Sequence, residues 1–142
     1  MRYIKTWGII FSLIGILDSS YLSWIKFNHN EEKCIAGLGN CALVNSSSYS
    51  EVYKIPIAYL GLLAYLVIFL LMLASGTRIL FGSSITYLLF GITLMGFLFS
   101  GYLTYVQFGI LRAYCSYCLL SAVTTTCLFI ISTKMIVKEL NY

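Results

Sequence analysis

"IPIAYLGLLAYLVIFLLMLASGT", residues 55–77, runs without a charge between Lys54 and Arg78. A helix rising 1.5 Å per residue needs about 20 apolar residues to cross a hydrocarbon core of about 30 Å, and this run suffices. Two more charge-free runs follow, 79–111 up to Arg112 and 113–133 up to Lys134, and a fourth apolar stretch, about 6–25, carries only Asp18. The pattern predicts an all-α membrane protein. It is a four-transmembrane-helix bundle forming one membrane domain over residues 1–142, with helices about 6–25, 56–75, 84–108 and 115–137. The polar segment about 26–54 is expected as a loop or cap over one mouth of the bundle. A composition of 60% hydrophobic and 10% charged residues excludes an ordinary soluble domain.

Pro56, the sole proline, suits the first turn of the second helix, where a missing N–H costs nothing. The N-terminus "MRYIKTWGIIFSLIGIL" has the charge and apolar core of a signal peptide, but no small-x-small cleavage site follows, so it is expected to stay as the first helix. The nine Lys and Arg are scattered, which argues against a nucleic-acid-binding face. Four spans put both ends on one side. Arg2, Lys5, Arg78, Lys134 and Lys138 then oppose Lys26, Lys33, Lys54 and Arg112, a bias toward cytoplasmic termini in a cytoplasmic (inner) membrane. Glu31, Glu32 and Glu51 fall in the loop, on the extracytoplasmic face, where disulfides persist.

The chain echoes itself at an offset of 81: "LIGILDSSYLSW" (13–24) lies over "LMGFLFSGYLTY" (94–105), Phe27 over Phe108 and Cys34 over Cys115. The echo reads either as chance similarity of apolar helices or as two related halves, each delivering a cysteine to the same face.

Four of the five cysteines gather at that face, Cys34 and Cys41 in the loop and Cys115 and Cys118 in "CSYC" at the start of the last helix. A C-x-x-C pair at a helix N-terminus is biased toward the reactive thiolate by the helix dipole. Arg112 either adds to that bias or anchors the helix in the headgroups. Gly37 and Gly39 give the loop pair freedom to move, as thiol–disulfide relay through mixed disulfides requires. Two other readings remain open: inert structural disulfides, or a Cys₄ zinc site, the latter at odds with an oxidising face. Cys127 is expected as a small buried hydrophobe. A relay needs an electron acceptor. With no haem or nucleotide signature and only His29 as an imidazole, a membrane quinone diffusing in the lipid bilayer is the economical choice, and no metal is expected.

Cys34 and Cys41, Ser47 six residues later, Pro56 followed by Gly61 and Tyr65, and "SGYLTYVQFGILRAYCSYCLLSA" (100–122) together resemble a bacterial-type member of the vitamin K epoxide reductase family. The resemblance covers nearly the whole chain. It implies a four-helix bundle enclosing a quinone, whether ubiquinone, menaquinone or phylloquinone. Electrons would pass from a thioredoxin-fold, DsbA-like protein to Cys34, through a transient Cys41–Cys115 bridge, to Cys118 facing the quinone, driving disulfide formation. Many bacterial relatives carry a fused thioredoxin-like domain; this chain ends at Tyr142, so the partner is expected as a separate protein. Supplying reduced quinone by quinone or epoxide reduction is the enzymatic alternative. Animal members have a tyrosine where Ala122 stands here, and no asparagine opens helix two, so epoxide reduction is not expected. Ser47 either helps to bind near the quinone or is an ordinary loop serine. Asp18, an acid inside a span, serves a proton path or bonds to Ser19, Ser20 or the loop. The tyrosines are expected to form interfacial belts and packing.

Overall fold

The computed structural model describes residues 2–28, 39–75 and 82–141. Four long apolar helices cross the expected thickness: α1 (Arg2–Phe27), α3 (Ile57–Ala74), α4 (Gly82–Tyr105) and α5 (Ser116–Leu140). A short helix, α2 (Cys41–Ser46), a 3₁₀ turn (Ser48–Ser50) and the strands β1 (Glu51–Val52) and β2 (Ile55–Pro56) occupy the connection between α1 and α3.

α1 begins at Arg2, a few residues earlier than the sequence suggested. Pro56 caps α3, which therefore starts one residue later than expected. The largest departure lies after α4. Instead of breaking near residue 108, the chain continues as a π-helical turn, Val106–Leu111, and stops at Arg112 in the left-handed region (φ 48°). The loop is also more ordered than a polar composition suggests. Asn40 Oδ1 accepts the Leu43 N–H at 3.2 Å and starts α2, and an antiparallel hairpin pairs Val52 with Ile55 across Tyr53 and Lys54. Both tip residues have positive φ (52° and 66°), the signature of the tight turn that matches strand twist.

α1 packs mainly on α3 and α5, and α4 mainly on α5, while α3 and α4 touch each other least among neighbouring helices. Small residues permit the close pairs: a Cβ on Gly8 would meet Met72, and one on Gly15 would meet the Tyr65 ring. Lipid supplies no hydrophobic drive between helices, so interhelical hydrogen bonds fix the register. The Tyr65 hydroxyl bonds Ser121 Oγ at 2.8 Å and Thr125 Oγ1 at 2.7 Å, joining α3 to α5, and Thr93 Oγ1 bonds Ser132 Oγ at 2.6 Å, joining α4 to α5. Lys5 Nζ donates to the Ser75 carbonyl, tying the start of α1 to the end of α3. The core, Tyr65, Ile68, Met72, Leu89 and Leu128, fills the middle.

Large apolar side chains on the outer faces, Leu17, Leu63, Leu70, Met95, Leu98 and Val123, are exposed to what is lipid in a membrane. Exposed Tyr3 and Trp7 lie toward one end of α1, Trp24 and Phe27 toward the other. Tyr105 and Phe108 close α4, which places aromatics at helix ends where amphipathic rings are stable.

Candidate active site at the loop end of the bundle

Cys115 is the N-cap of α5, with extended backbone (φ −111°, ψ 120°), and its Sγ accepts the Cys118 N–H at 3.4 Å. The C-x-x-C spacing thus acts as a capping motif. A sulfur at the N-cap faces the unpaired amides and the positive end of the helix.

Gln107, in the π turn, accepts the Cys115 N–H on Oε1 at 3.2 Å, and its backbone carbonyl accepts the Ala113 N–H at 3.1 Å. Both ends of the segment before Cys115 are thereby pinned.

The loop is docked on the same segment by backbone pairing. Gly39 bridges Cys115 in antiparallel fashion, and the Asn40 N–H donates to the Tyr114 carbonyl at 3.0 Å. Gly39 has φ +95°, and a Cβ there would strike the Tyr114 carbonyl oxygen, so only glycine fits this approach. The contact carries Cys41 inward. Cys41 (1% exposed) and Cys115 (0%) share one buried cluster with Val44, against which Leu111, Tyr117 and Cys118 pack. Cys41 is disulfide-bonded, whereas Cys115 and Cys118 stand as thiols. Cys34 and His29 lie outside the described residues.

Cys118 also lines a cavity of about 490 Å³ walled largely by α3 and α4. The wall is mostly apolar (Leu22, Ile57, Leu60, Ile92, Phe99 and Leu103 among others), with a few polar groups, Ser47, Tyr65, Gln107 and Ser121. Size and lining suit a small apolar ring with a few hydrogen-bonding atoms, within the roughly 300–1,000 Å³ usual for ligand sites. Leu60, Met95 and Phe99 line the cavity and are also exposed on the outer surface, which sets its mouth toward lipid.

Ser47 is part of this wall, and its Oγ donates to the Val44 carbonyl at 2.6 Å, closing α2. The loop is held from below by Lys26, which bonds Ser50 Oγ at 3.2 Å and pairs with Glu51 at 3.2 Å. Asp18 is buried (7% exposed) and its carboxylate oxygens have no hydrogen-bond partner among the described residues. It does not line the cavity; its neighbour Ser19 does. Arg112 is exposed, as an anchor would be. Cys127, expected to be buried, is half-buried in a groove between α1 and α5 with Trp7 and Lys134, since its face of α5 meets only the far end of α1.

Gln107 was not anticipated from the sequence. The available signal was an amide side chain alone in the charge-free run 79–111, where an apolar residue is the rule.

The model of the vitamin K epoxide reductase family matches residues 6–133, most of the chain. A search of curated proteins gave no match.

Proposed function

The chain belongs to the vitamin K epoxide reductase family, membrane oxidoreductases associated with quinones, and from that premise we propose that it oxidises a thioredoxin-fold dithiol protein and reduces a membrane quinone, driving disulfide formation. The partner's thiolate attacks the Cys34–Cys41 disulfide; the partner leaves as a disulfide and the loop pair becomes a dithiol. Cys41 then attacks Cys115 of an oxidised Cys115–Cys118 pair, forming a transient Cys41–Cys115 bridge and releasing Cys118 as a thiolate. Cys34 attacks Cys41, closes the loop disulfide and frees Cys115. The Cys115/Cys118 dithiol returns to a disulfide by giving two electrons and two protons to the quinone, which leaves as hydroquinone.

One observation carries this reading: buried Cys41 packs with Cys115, and Cys118, which packs against that cluster, also forms part of an apolar cavity wall. A relay needs sulfurs that meet in sequence and a last sulfur that meets the acceptor, and the positions of Cys41, Cys115 and Cys118 are in keeping with that order. Ser47 joins them as a wall residue and brace for α2. Asp18 acts indirectly, through Ser19 on the cavity wall and through its proximity to Tyr65 and Tyr117. The termini face the cytoplasm and the cysteines the opposite side, in keeping with the charge bias and the redox chemistry.

The test uses purified protein, a reduced thioredoxin-fold dithiol protein and a short-chain quinone, with quinone absorbance as the readout. Wild type turns over and Cys118→Ala does not. Wild-type protein that leaves the partner reduced with every quinone class, its cysteines held in one unreactive pairing, would overturn the proposal in favour of a structural role.

A further inference from the structure

Building on the quinone reading above, we propose that Gln107 is a quinone-binding residue: its Nε2 donates a hydrogen bond to a ring carbonyl oxygen in the cavity beside Cys118 while its Oε1 holds the backbone of Cys115. The side-chain amide has one chemically consistent orientation. The Cys115 backbone N–H can only donate, so the atom 3.2 Å from it is the oxygen, and a flipped amide would set donor against donor. That leaves the two N–H bonds of Nε2 to be satisfied elsewhere. Gln107 is 4% exposed and lines the cavity, and among the described residues its Nε2 has no acceptor. An amide donor with no protein acceptor is open to a ligand oxygen, and here the cavity is the space in which that acceptor can sit.

Several other polar groups of the wall are committed to the protein. The hydroxyls of Ser47, Thr93, Thr104 and Thr125 each donate to a backbone carbonyl of their own segment. The Tyr65 hydroxyl is held between Ser121 and Thr125. These groups shape the wall, whereas Gln107 presents donors to the interior.

The π turn explains why an amide can be held there. Widening the helix lets the Gln107 carbonyl reach the Ala113 N–H at 3.1 Å, so main chain and side chain are both fixed before any ligand arrives. A fixed donor aimed at an oxygen that gains electron density during reduction favours the reduced ring more than the oxidised one. The same amide touches the backbone of the cysteine that receives electrons from the loop, so one side chain sets the ring against the C-x-x-C pair. The ligand chemistry is therefore a ring with a hydrogen-bond-accepting carbonyl, whichever quinone supplies it.

The experiment compares the full chain with Gln107→Glu, which at a pH where the acid is ionised keeps an oxygen for the Cys115 N–H and removes the donors, and with Gln107→Met, which keeps the shape and removes both. It measures the quinone KM with a short-chain benzoquinone and a short-chain naphthoquinone, and records the infrared carbonyl band of each quinone, ¹³C-labelled at the carbonyls, when bound. The wild type is expected to shift a carbonyl band to lower wavenumber. Both variants should lose that shift and raise the quinone KM by roughly three- to tenfold, the cost of one neutral hydrogen bond. Helical circular dichroism and a cooperative melt in detergent serve as the folding control. If Gln107→Met does not accumulate, Gln107→Asn, which withdraws the amide by one methylene, is expected to show the same loss. An unshifted band in the wild type, or a variant that keeps both the shift and the KM, overturns the assignment. A wild type that binds and shifts the quinone yet never reduces it overturns the relay and leaves the Gln107 contact standing.

Discussion

Replacing Gly39 with alanine should uncouple the loop from the C-x-x-C pair while leaving the bundle intact. Gly39 has φ +95°, where an L-residue is strained by about 1–2 kcal/mol, and its new Cβ would meet the Tyr114 carbonyl oxygen, which belongs to backbone and cannot swing aside. Relief requires the strand-like contact to open, losing the Gly39–Cys115 bridge and the Asn40 N–H to Tyr114 bond, about 1 kcal/mol each. Strain and clash together set roughly 2 kcal/mol against docking, of the same order as the docking energy that these backbone bonds can supply. The docked form therefore becomes the minority, and the rate at which Cys41 reaches Cys115 should fall at least about tenfold, since each 1.4 kcal/mol is a factor of ten. The assay is quinone reduction driven by the dithiol partner, set beside quinone reduction driven by a small dithiol able to reach Cys115–Cys118 directly. Partner-driven turnover should drop and small-dithiol turnover should persist. Gly39→Ala with wild-type partner-driven turnover would refute the view that backbone pairing at Gly39 delivers Cys41.

Three further outcomes follow from the same geometry. Tyr65→Phe removes the hydroxyl that joins α3 to Ser121 and Thr125 of α5, and should lower unfolding stability in detergent by about 1–2 kcal/mol, measured by thermal or denaturant melting, without abolishing thiol exchange. Asp18→Asn removes a buried carboxylate that lacks a hydrogen-bond partner among the described residues; stability should rise by about 1 kcal/mol or more, whereas a loss would reveal a partner for the acid. Cys115→Ser keeps an N-cap acceptor for the Cys118 N–H, so the fold and melting temperature should stay within about 1 kcal/mol of wild type while partner-driven quinone reduction is lost, as stopped-flow absorbance would show.

The four spans were legible because lipid imposes a length on every charge-free run, and Lys54, Arg78, Arg112 and Lys134 punctuate them. Pro56 marked the start of α3 to within a residue for an equally local reason. The gathering of Cys41, Cys115 and Cys118 at one end followed from counting spans. What brings Cys41 against Cys115 did not, since the Gly39–Cys115 bridge pairs segments far apart in sequence that have no periodic pattern. The π turn at 106–111 escaped for a related reason: an apolar segment looks the same whether its carbonyls bond four or five residues ahead. Gln107 was visible as a lone amide in an apolar run, but its partner, a backbone N–H of the C-x-x-C turn, is a property of the folded chain. Asp18 drew attention as an acid in a span, and the structure places it beside the cavity wall and not on it.

The most direct measurement replaces Cys34 and Cys118 with alanine, exposes the protein to an oxidant, and maps its disulfides by mass spectrometry of non-reduced peptides. With both outer sulfurs removed, the relay account predicts one dominant cross-link, Cys41 to Cys115, formed in the folded protein and lost on Gly39→Ala. A double variant that leaves Cys41 and Cys115 as separate thiols, or that links Cys41 elsewhere, would contradict it.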